Sequence, residues 1–264
     1  VVSIAVVIYI TDFSDIMPLL ARPQKDNKDV KNYVTVMMVT LVLTGCDKPD
    51  ALAPFSPEMA SFSSEFNFDP LRGPVKNFTQ KLINDSGEVE TEVNGTLSQE
   101  GCFETLNYSD KPSNSHLALV LDANYYLDAI SREKRIRLQG KCQLAELPAV
   151  GMVYETNDRE FVVKGHTSEV STTYRYDDEG YPLGKTSKTK DAELSTVATP
   201  SDTRKKHDYS SVTTLNSKVI DTAKQSCEYD RHLNPSSCVL EITDASATPP
   251  VLHKFTIQNE INYY

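Results

Sequence analysis

Along most of this chain apolar and polar residues alternate, and the alternation breaks only at short polar clusters. That pattern restricts the fold more than any other feature. Val89, Thr91 and Val93 alternate with Glu90 and Glu92, and Cys238, Leu240 and Ile242 alternate with Val239 and Glu241. A period of two puts one set on a buried face of a strand and the other outward. The breaks fall at Asn84-Asp85-Ser86-Gly87, Ser98-Gln99-Glu100-Gly101, Asn157-Asp158-Arg159, Asp177-Asp178-Glu179-Gly180 and Asn234-Pro235. Asp and Asn close turns through their own side chains, and Gly supplies a positive φ. The expected fold from Val75 onward is therefore all-β, mainly an antiparallel meander of hairpins, forming one domain over 75–264. Only Asp122 to Arg137 competes as a helix, and a hairpin fits it equally well.

The N-terminus points to a compartment. An uncharged apolar run from Tyr33 to Leu43 follows Lys25, Lys28 and Lys31. It is shorter than the about 20 residues a membrane span needs, and it has the length of a signal-peptide core. It ends in Leu43-Thr44-Gly45-Cys46, which resembles the bacterial lipobox. In that chemistry the thiol first receives diacylglycerol, cleavage before Cys frees an α-amino group, and this amine is acylated. Cys46 is thus expected to carry S-diacylglycerol and an N-palmitoyl chain, enough acyl chains for stable anchoring where one would bind marginally. Reading Val30 as an alternative start codon decoded as Met gives a compact signal peptide over 30–45, with residues 1–29 as upstream sequence translated in error. Asp47 resembles the signal that retains enterobacterial lipoproteins in the inner membrane, although Lys48 beside it weakens the match. The expected location is the periplasmic face of the inner membrane, with the outer membrane as alternative. From Cys46 to 74 the chain holds Pro49, Pro54, Pro57, Pro70 and Pro74 without sustained periodicity, which reads as a tether. Phe55, Phe62, Phe66 and Phe68 are too apolar for a solvated linker, so that part is expected to lie against the domain.

An odd total of five Cys becomes four once Cys46 is lipidated. An oxidising compartment favours disulfides. Cys227 and Cys238 flank the turn from Asp230 to Pro235, so a hairpin sets them opposite each other, leaving Cys102 with Cys142. No Cys-x-x-Cys pair is present to support a redox role.

Motifs that carry chemistry are scarce. His116, His166, His207, His232 and His253 are scattered, without zinc spacing, and each is read as a surface residue. No nucleophile elbow or phosphate loop stands out, so no catalytic residue, metal or cofactor is assigned. Asp177-Asp178-Glu179 offers carboxylates for calcium, but turn-capping accounts for it without a metal. Arg132 to Arg137 is a basic strip that suits anionic headgroups, glycan carboxylates or a charged edge strand, and Arg204-Lys205-Lys206 reads as a loop end. A net charge of −10, unchanged by removal of four basic and four acidic residues with 1–45, argues against nucleic acid as partner. A faint repeat pairs Tyr176-Asp177 and Pro182 with Tyr229-Asp230 and Pro235. It resembles the YD repeats of bacterial surface proteins, but a recurring hairpin turn explains it.

The stretches Ser61-Phe62-Ser63-Ser64-Glu65-Phe66, Phe68-Asp69-Pro70-Leu71-Arg72-Gly73-Pro74-Val75, Val120 to Tyr126, Leu138 to Pro148, Tyr174-Arg175-Tyr176-Asp177-Asp178 with Gly180 to Lys185, and Tyr263-Tyr264 resemble the YnfC family of enterobacterial lipoproteins. The resemblance runs from about Val30 to the C-terminus. It implies a lipid-anchored envelope protein and brings no activity or catalytic residue. The resulting expectation is a non-enzymatic module that meets the membrane through its anchor and binds or scaffolds an envelope protein or glycan. The alternative is an envelope glycan hydrolase using paired carboxylates.

Overall fold

In the computed structural model, which describes residues 52–264, consecutive strands pair antiparallel all the way round and the last closes on the first. The signal segment, Cys46 and Asp47 lie outside the described residues. A helix α1 (Pro57–Phe66) precedes β1 (Val75–Asn84), β2 (Val89–Leu97), β3 (Phe103–Asp110), β4 (Ser115–Asp122), β5 (Tyr125–Asp128), β6 (Lys134–Gln139), β7 (Gln143–Leu147) and β8 (Met152–Thr156). Then come β9 (Val162–His166), β10 (Ser171–Tyr176), β11 (Pro182–Lys188), β12 (Glu193–Pro200), β13 (Tyr209–Leu215), β14 (Lys218–Tyr229), β15 (Pro235–Asp244) and β16 (Val251–Tyr263). The all-β hairpin meander is as read from the alternation, and Asp122 to Arg137 is the hairpin β5–β6 rather than a helix. Closure through β1–β16, with Phe78 opposite Ile261 and Leu82 opposite Ile257, makes it a barrel.

One turn design recurs at five hairpins. At Asn84–Glu88, Ser98–Cys102, Asn157–Phe161, Asp177–Tyr181 and Asp230–Asn234, the first residue's N–H donates to the fifth carbonyl, and the fourth N–H donates to the first carbonyl. The first side chain accepts from the fifth N–H in every case. The fourth position has positive φ: Gly87, Gly101 and Gly180, but also Glu160 and Leu233. This is a three-residue loop closed by a left-handed residue. It explains the Tyr-Asp repeat, because Asp177 and Asp230 occupy the same place in two copies.

The two faces of the wall differ sharply. Inward, the register aligns Ile261, Phe78, Gly95, Leu106 and Leu119 across five strands. Gly95 has no side chain because the Phe78 ring needs the space; a Cβ there would sit 2.5 Å from that ring. Outward, one row reads Lys81, Glu92, Ser109, His116 and another Ser210, Lys224, Glu241, Lys254. A third row, Val197, Val212, Thr222, Thr243, Leu252, is uncharged. Charged rows and exposed valines and leucines, among them Val197, Val212, Val239 and Leu252, thus share the outer wall. No helix among the described residues is long and apolar enough to cross a membrane.

Residues 55–74, grouped with the tether in the sequence, are folded into the barrel. Ser56 caps α1 by accepting from Met59 N–H, Pro57 fits the first turn, and Asn67 ends the helix in the left-handed region. Phe62 lies 4.9 Å from Phe103 and 5.4 Å from Tyr126, ring to ring, and Tyr126 donates its hydroxyl hydrogen to the Phe103 carbonyl. Phe55, Met59, Phe62, Phe68 and Leu71 are all buried, so the packed domain includes the chain from Phe55 onward.

The structure joins Cys102 to Cys142 across 40 residues and Cys227 to Cys238 across 11, the latter directly opposite on β14 and β15. Loop-closure entropy makes the longer bridge the more stabilising. Replacing Cys102 and Cys142 by Ser is expected to cost about 4 kcal/mol, and replacing Cys227 and Cys238 about 3 kcal/mol. Urea unfolding of the two double variants under non-reducing conditions checks the order.

Candidate functional site

Meander topology sends alternate turns to opposite ends of the barrel. One end collects the turns Ser98–Cys102, Asn157–Phe161, Asp177–Tyr181 and Asp230–Asn234, the 201–208 loop, and the ends of β1 and β16. The chain also enters here, since Phe55 N–H donates to the Glu179 carbonyl at 2.9 Å. After α1 the chain returns to this rim through Pro70-Leu71-Arg72-Gly73-Pro74 before starting β1.

Arg72 is the centre of the rim. Its N–H donates to Asn234 Oδ1 and its carbonyl accepts from Asn234 Nδ2, both at 2.8 Å. Asn234 is fully buried and also donates to the Tyr263 hydroxyl, which bonds in turn to Asp230. The Asp230 turn thus forms itself and grips the returning segment. The Arg72 guanidinium is 1% exposed and lies 4.3 Å over the Phe55 ring. Its ion pair with Glu179 is 3.5 Å long, and none of its nitrogens has a hydrogen-bond partner among the described residues. Burial pushes this guanidinium below its ordinary pKa, while Glu179 and Asp177 pull it back up. Lys206 extends the network, 2.7 Å from Asp177 and 4.0 Å from Glu179.

Beside this network His207 is fully buried, a correction to the reading of all five histidines as surface residues. Its Nε2 donates to the Pro70 carbonyl at 2.9 Å, and its ring meets Tyr181 edge-on. Nothing in the polar sequence around it signals burial, because the cavity that receives it is formed by residues 55–70. Of the others, His116 is exposed and His166, His232 and His253 are partly buried. Burial lowers the pKa of His207, opposed chiefly by Asp69. Burial raises that of Asp69, opposed by His207 and by the Gln225 amide, which donates to it at 3.0 Å. Asp208 ties the same loop to the second disulfide by accepting from Cys227 N–H at 2.7 Å.

The other charged motifs are also paired. Asp177 Oδ1 accepts from Glu179 and Tyr181 N–H, so turn-capping is the use the structure gives the acidic cluster, and Lys206 and Arg72 take the remaining charge. No group of three His, Cys, Asp or Glu side chains suited to a metal occurs among the described residues. In the basic strip, Arg132 pairs with Asp122, Arg135 with Asp128 and Glu133, and Arg137 with Glu146. Arg204 and Lys205 remain exposed while Lys206 folds inward. Glu65, read in the sequence only as part of a family stretch, accepts from Tyr174 hydroxyl at 2.7 Å inside the barrel. An open groove of about 600 Å³ runs along the outside of β2–β4 past Glu90, Glu92, His116 and Asp128.

Two stability predictions follow from the rim. Glu179→Gln removes the carboxylate facing a wholly buried cation and is expected to cost about 2–3 kcal/mol, whereas Arg72→Met removes the cation itself and costs less, about 1 kcal/mol; denaturant unfolding checks the order. For pH, the folded pKa of His207 is below its unfolded value, so the unfolded state takes up more protons in acid. Its contribution is present above about pH 6.5 and is lost as pH falls, while Asp69, with its pKa raised, acts in the opposite sense. The melting temperature is expected to drop between about pH 7.5 and pH 5.5 in the native protein and to drop less in His207→Gln. An equal drop in both would refute the assignment.

The stretches that carried the family resemblance converge on this rim and the plug it holds: Phe68 to Val75, Tyr174 to Asp178, Gly180 to Lys185 and Tyr263-Tyr264. The model of an uncharacterised protein family, UPF0257, matches residues 30–264. Proteins named UPF0257 lipoprotein YnfC from Escherichia coli O157:H7 and from E. coli strain K12 / DH10B are 56% identical over 228 residues, spanning 86% of this chain and 97% of theirs. Among solved structures, a porin-like protein from Bacteroides uniformis ATCC 8492 is similar with a TM-score of 0.45 and 10% identity, over 72% of this chain and 98% of that one. By the extent of the family match and this level of identity, the chain belongs to the UPF0257 family.

Proposed function

We propose that this protein is a lipid-anchored, non-enzymatic module of the cell envelope that binds or scaffolds a partner, held through Cys46 at the periplasmic face of the inner membrane. The lipobox Leu43-Thr44-Gly45-Cys46 supports the anchor, and so does the word lipoprotein in the names of relatives 56% identical to this chain. Asp47 supports retention in the inner membrane.

The observation that carries the non-enzymatic reading is the filled interior. The space within the barrel is occupied by α1 and its aromatic neighbours, and its carboxylates serve the fold. Asp69 bonds Gln225, Glu65 bonds Tyr174, and Glu58 lies 4% exposed in the first turn of α1. A hydrolase needs two carboxylates facing a substrate from a defined separation. Here the buried ones face side chains, so contact with a partner falls to the turns and the outer wall.

Cys46→Ala is expected to abolish incorporation of labelled palmitate and to move the protein from the membrane to the soluble periplasmic fraction; persistence in the membrane fraction would refute the anchor. Asp47→Ser is expected to shift the lipidated protein towards the outer membrane, as read by density-gradient fractionation. For the binding role, photo-crosslinking groups at Val212 on the outer wall and at Lys190 on a turn are expected to yield discrete adducts in living cells. Release of sugar from purified glycan by the isolated protein would overturn it.

A further inference from the structure

On the side of the rim formed by the 201–208 loop, the Asp230–Asn234 turn and the ends of β16 and β1, exposed cations alternate with tyrosines. Lys205 Nζ lies 5.6 Å from the Tyr229 ring, Arg231 Nε donates to His232 Nε2, and the His232 ring stacks on Tyr263 at 4.0 Å. Lys76 Nζ lies 5.7 Å from the ring of Tyr264, which is 49% exposed. Arg204 is exposed on the same loop. Of the acids here, Asp230 is partly buried and accepts from His232 and Asn234 N–H, Asp202 is exposed and accepts from Arg204 and Lys205 N–H, and Glu228 and Glu260 are exposed on β14 and β16. Further exposed acids of this end are Glu100, Asp158, Glu160 and Asp178, on the other three turns.

We infer that this arc is the membrane-facing surface of the domain, with Lys76, Arg204, Lys205 and Arg231 on anionic phospholipid headgroups and Tyr264 in the interface. The inference rests on the anchor at Cys46 proposed above. Chain length favours this end. Ala53 lines one open pocket together with Gly73 and the Ser98–Gly101 turn at the rim, and the seven residues from Cys46 to Ala53 reach at most about 25 Å. Strand β16 alone, at 13 residues, is about 43 Å long, so on this side the opposite end of the barrel lies beyond the reach of the anchor. Charge favours the same face, because each basic residue near an anionic leaflet is attracted to it and tyrosine prefers the headgroup level. This holds although the whole chain is acidic, since the field decays within a Debye length and only the nearest charges count.

The chain has no Trp, so a single substitution supplies a clean reporter. Lipidated full-length protein carrying Tyr264→Trp at the rim, or Lys190→Trp at the opposite end, is reconstituted into vesicles of phosphatidylethanolamine and phosphatidylglycerol with brominated acyl chains. Flotation of the vesicles reads the anchor separately from the contact. Expected is loss of most fluorescence from the Tyr264→Trp reporter and little from Lys190→Trp. Quenching should be relieved, with flotation retained, when Lys76, Arg204, Lys205 and Arg231 are all changed to Gln or when phosphatidylcholine replaces phosphatidylglycerol. Equal quenching at both ends, or quenching indifferent to the four substitutions, overturns the membrane-facing arc while leaving the anchor intact. Failure to float overturns the anchor and the arc together.

Discussion

A sixteen-stranded barrel encloses more space than the side chains of its own wall can fill. An interior left open would lose the contacts that stabilise a packed core, so something must occupy it. Here the chain fills the space with its own N-terminal segment: α1 with Met59 and Phe62, then Phe68 and Leu71 on the return. Elsewhere the wall packs against itself, as where Cys238, Leu240, Phe255 and Ile257 form a separate cluster. The remaining features of the structure are arranged around keeping that segment in place.

Holding it requires polar groups in a dry setting. The Arg72 peptide is fixed by both ends of the Asn234 amide, and its guanidinium is left with one ion pair and one aromatic face. A buried cation of this kind adds little net stability compared with an apolar residue, yet its partner cannot be removed without leaving an uncompensated charge. The arrangement therefore acts as a registration device, admitting the return segment only when Glu179 and Asn234 meet it. It also couples the segment nearest the expected anchor to three separate hairpins.

Legibility in the sequence followed the range of the interactions. The five recurrent turns rest on contacts within five residues, so Asn84, Ser98, Asn157, Asp177 and Asp230 mark them, helped by Gly87, Gly101 and Gly180. Glu160 and Leu233 hold the same left-handed position without glycine and hide two copies of the pattern. Helix α1 leaves no amphipathic pattern in the sequence because it is ten residues long, rich in Ser and flanked by Pro, and because it is surrounded by the barrel, burying Ser61 and Ser63 as well as Phe62. His207 and Arg72 look like surface residues for the same reason: the groups that bury them are not sequence neighbours, and their hydrogen-bond partners Pro70 and Asn234 lie over a hundred residues away.

What the sequence determined by itself is everything governed by local periodicity and short motifs: an all-β meander, its turn positions, the family, and the lipobox that makes an anchor the natural expectation. Period-two alternation specifies which side of a strand faces inward, but an open sheet and a closed barrel have the same alternation. Only the tertiary structure decided that β1 meets β16, that the segment before β1 becomes the core, and that an acidic chain gathers exposed cations and tyrosines on one side of one rim. Those outcomes depend on contacts between residues far apart in sequence, where one residue's burial is set by another's position.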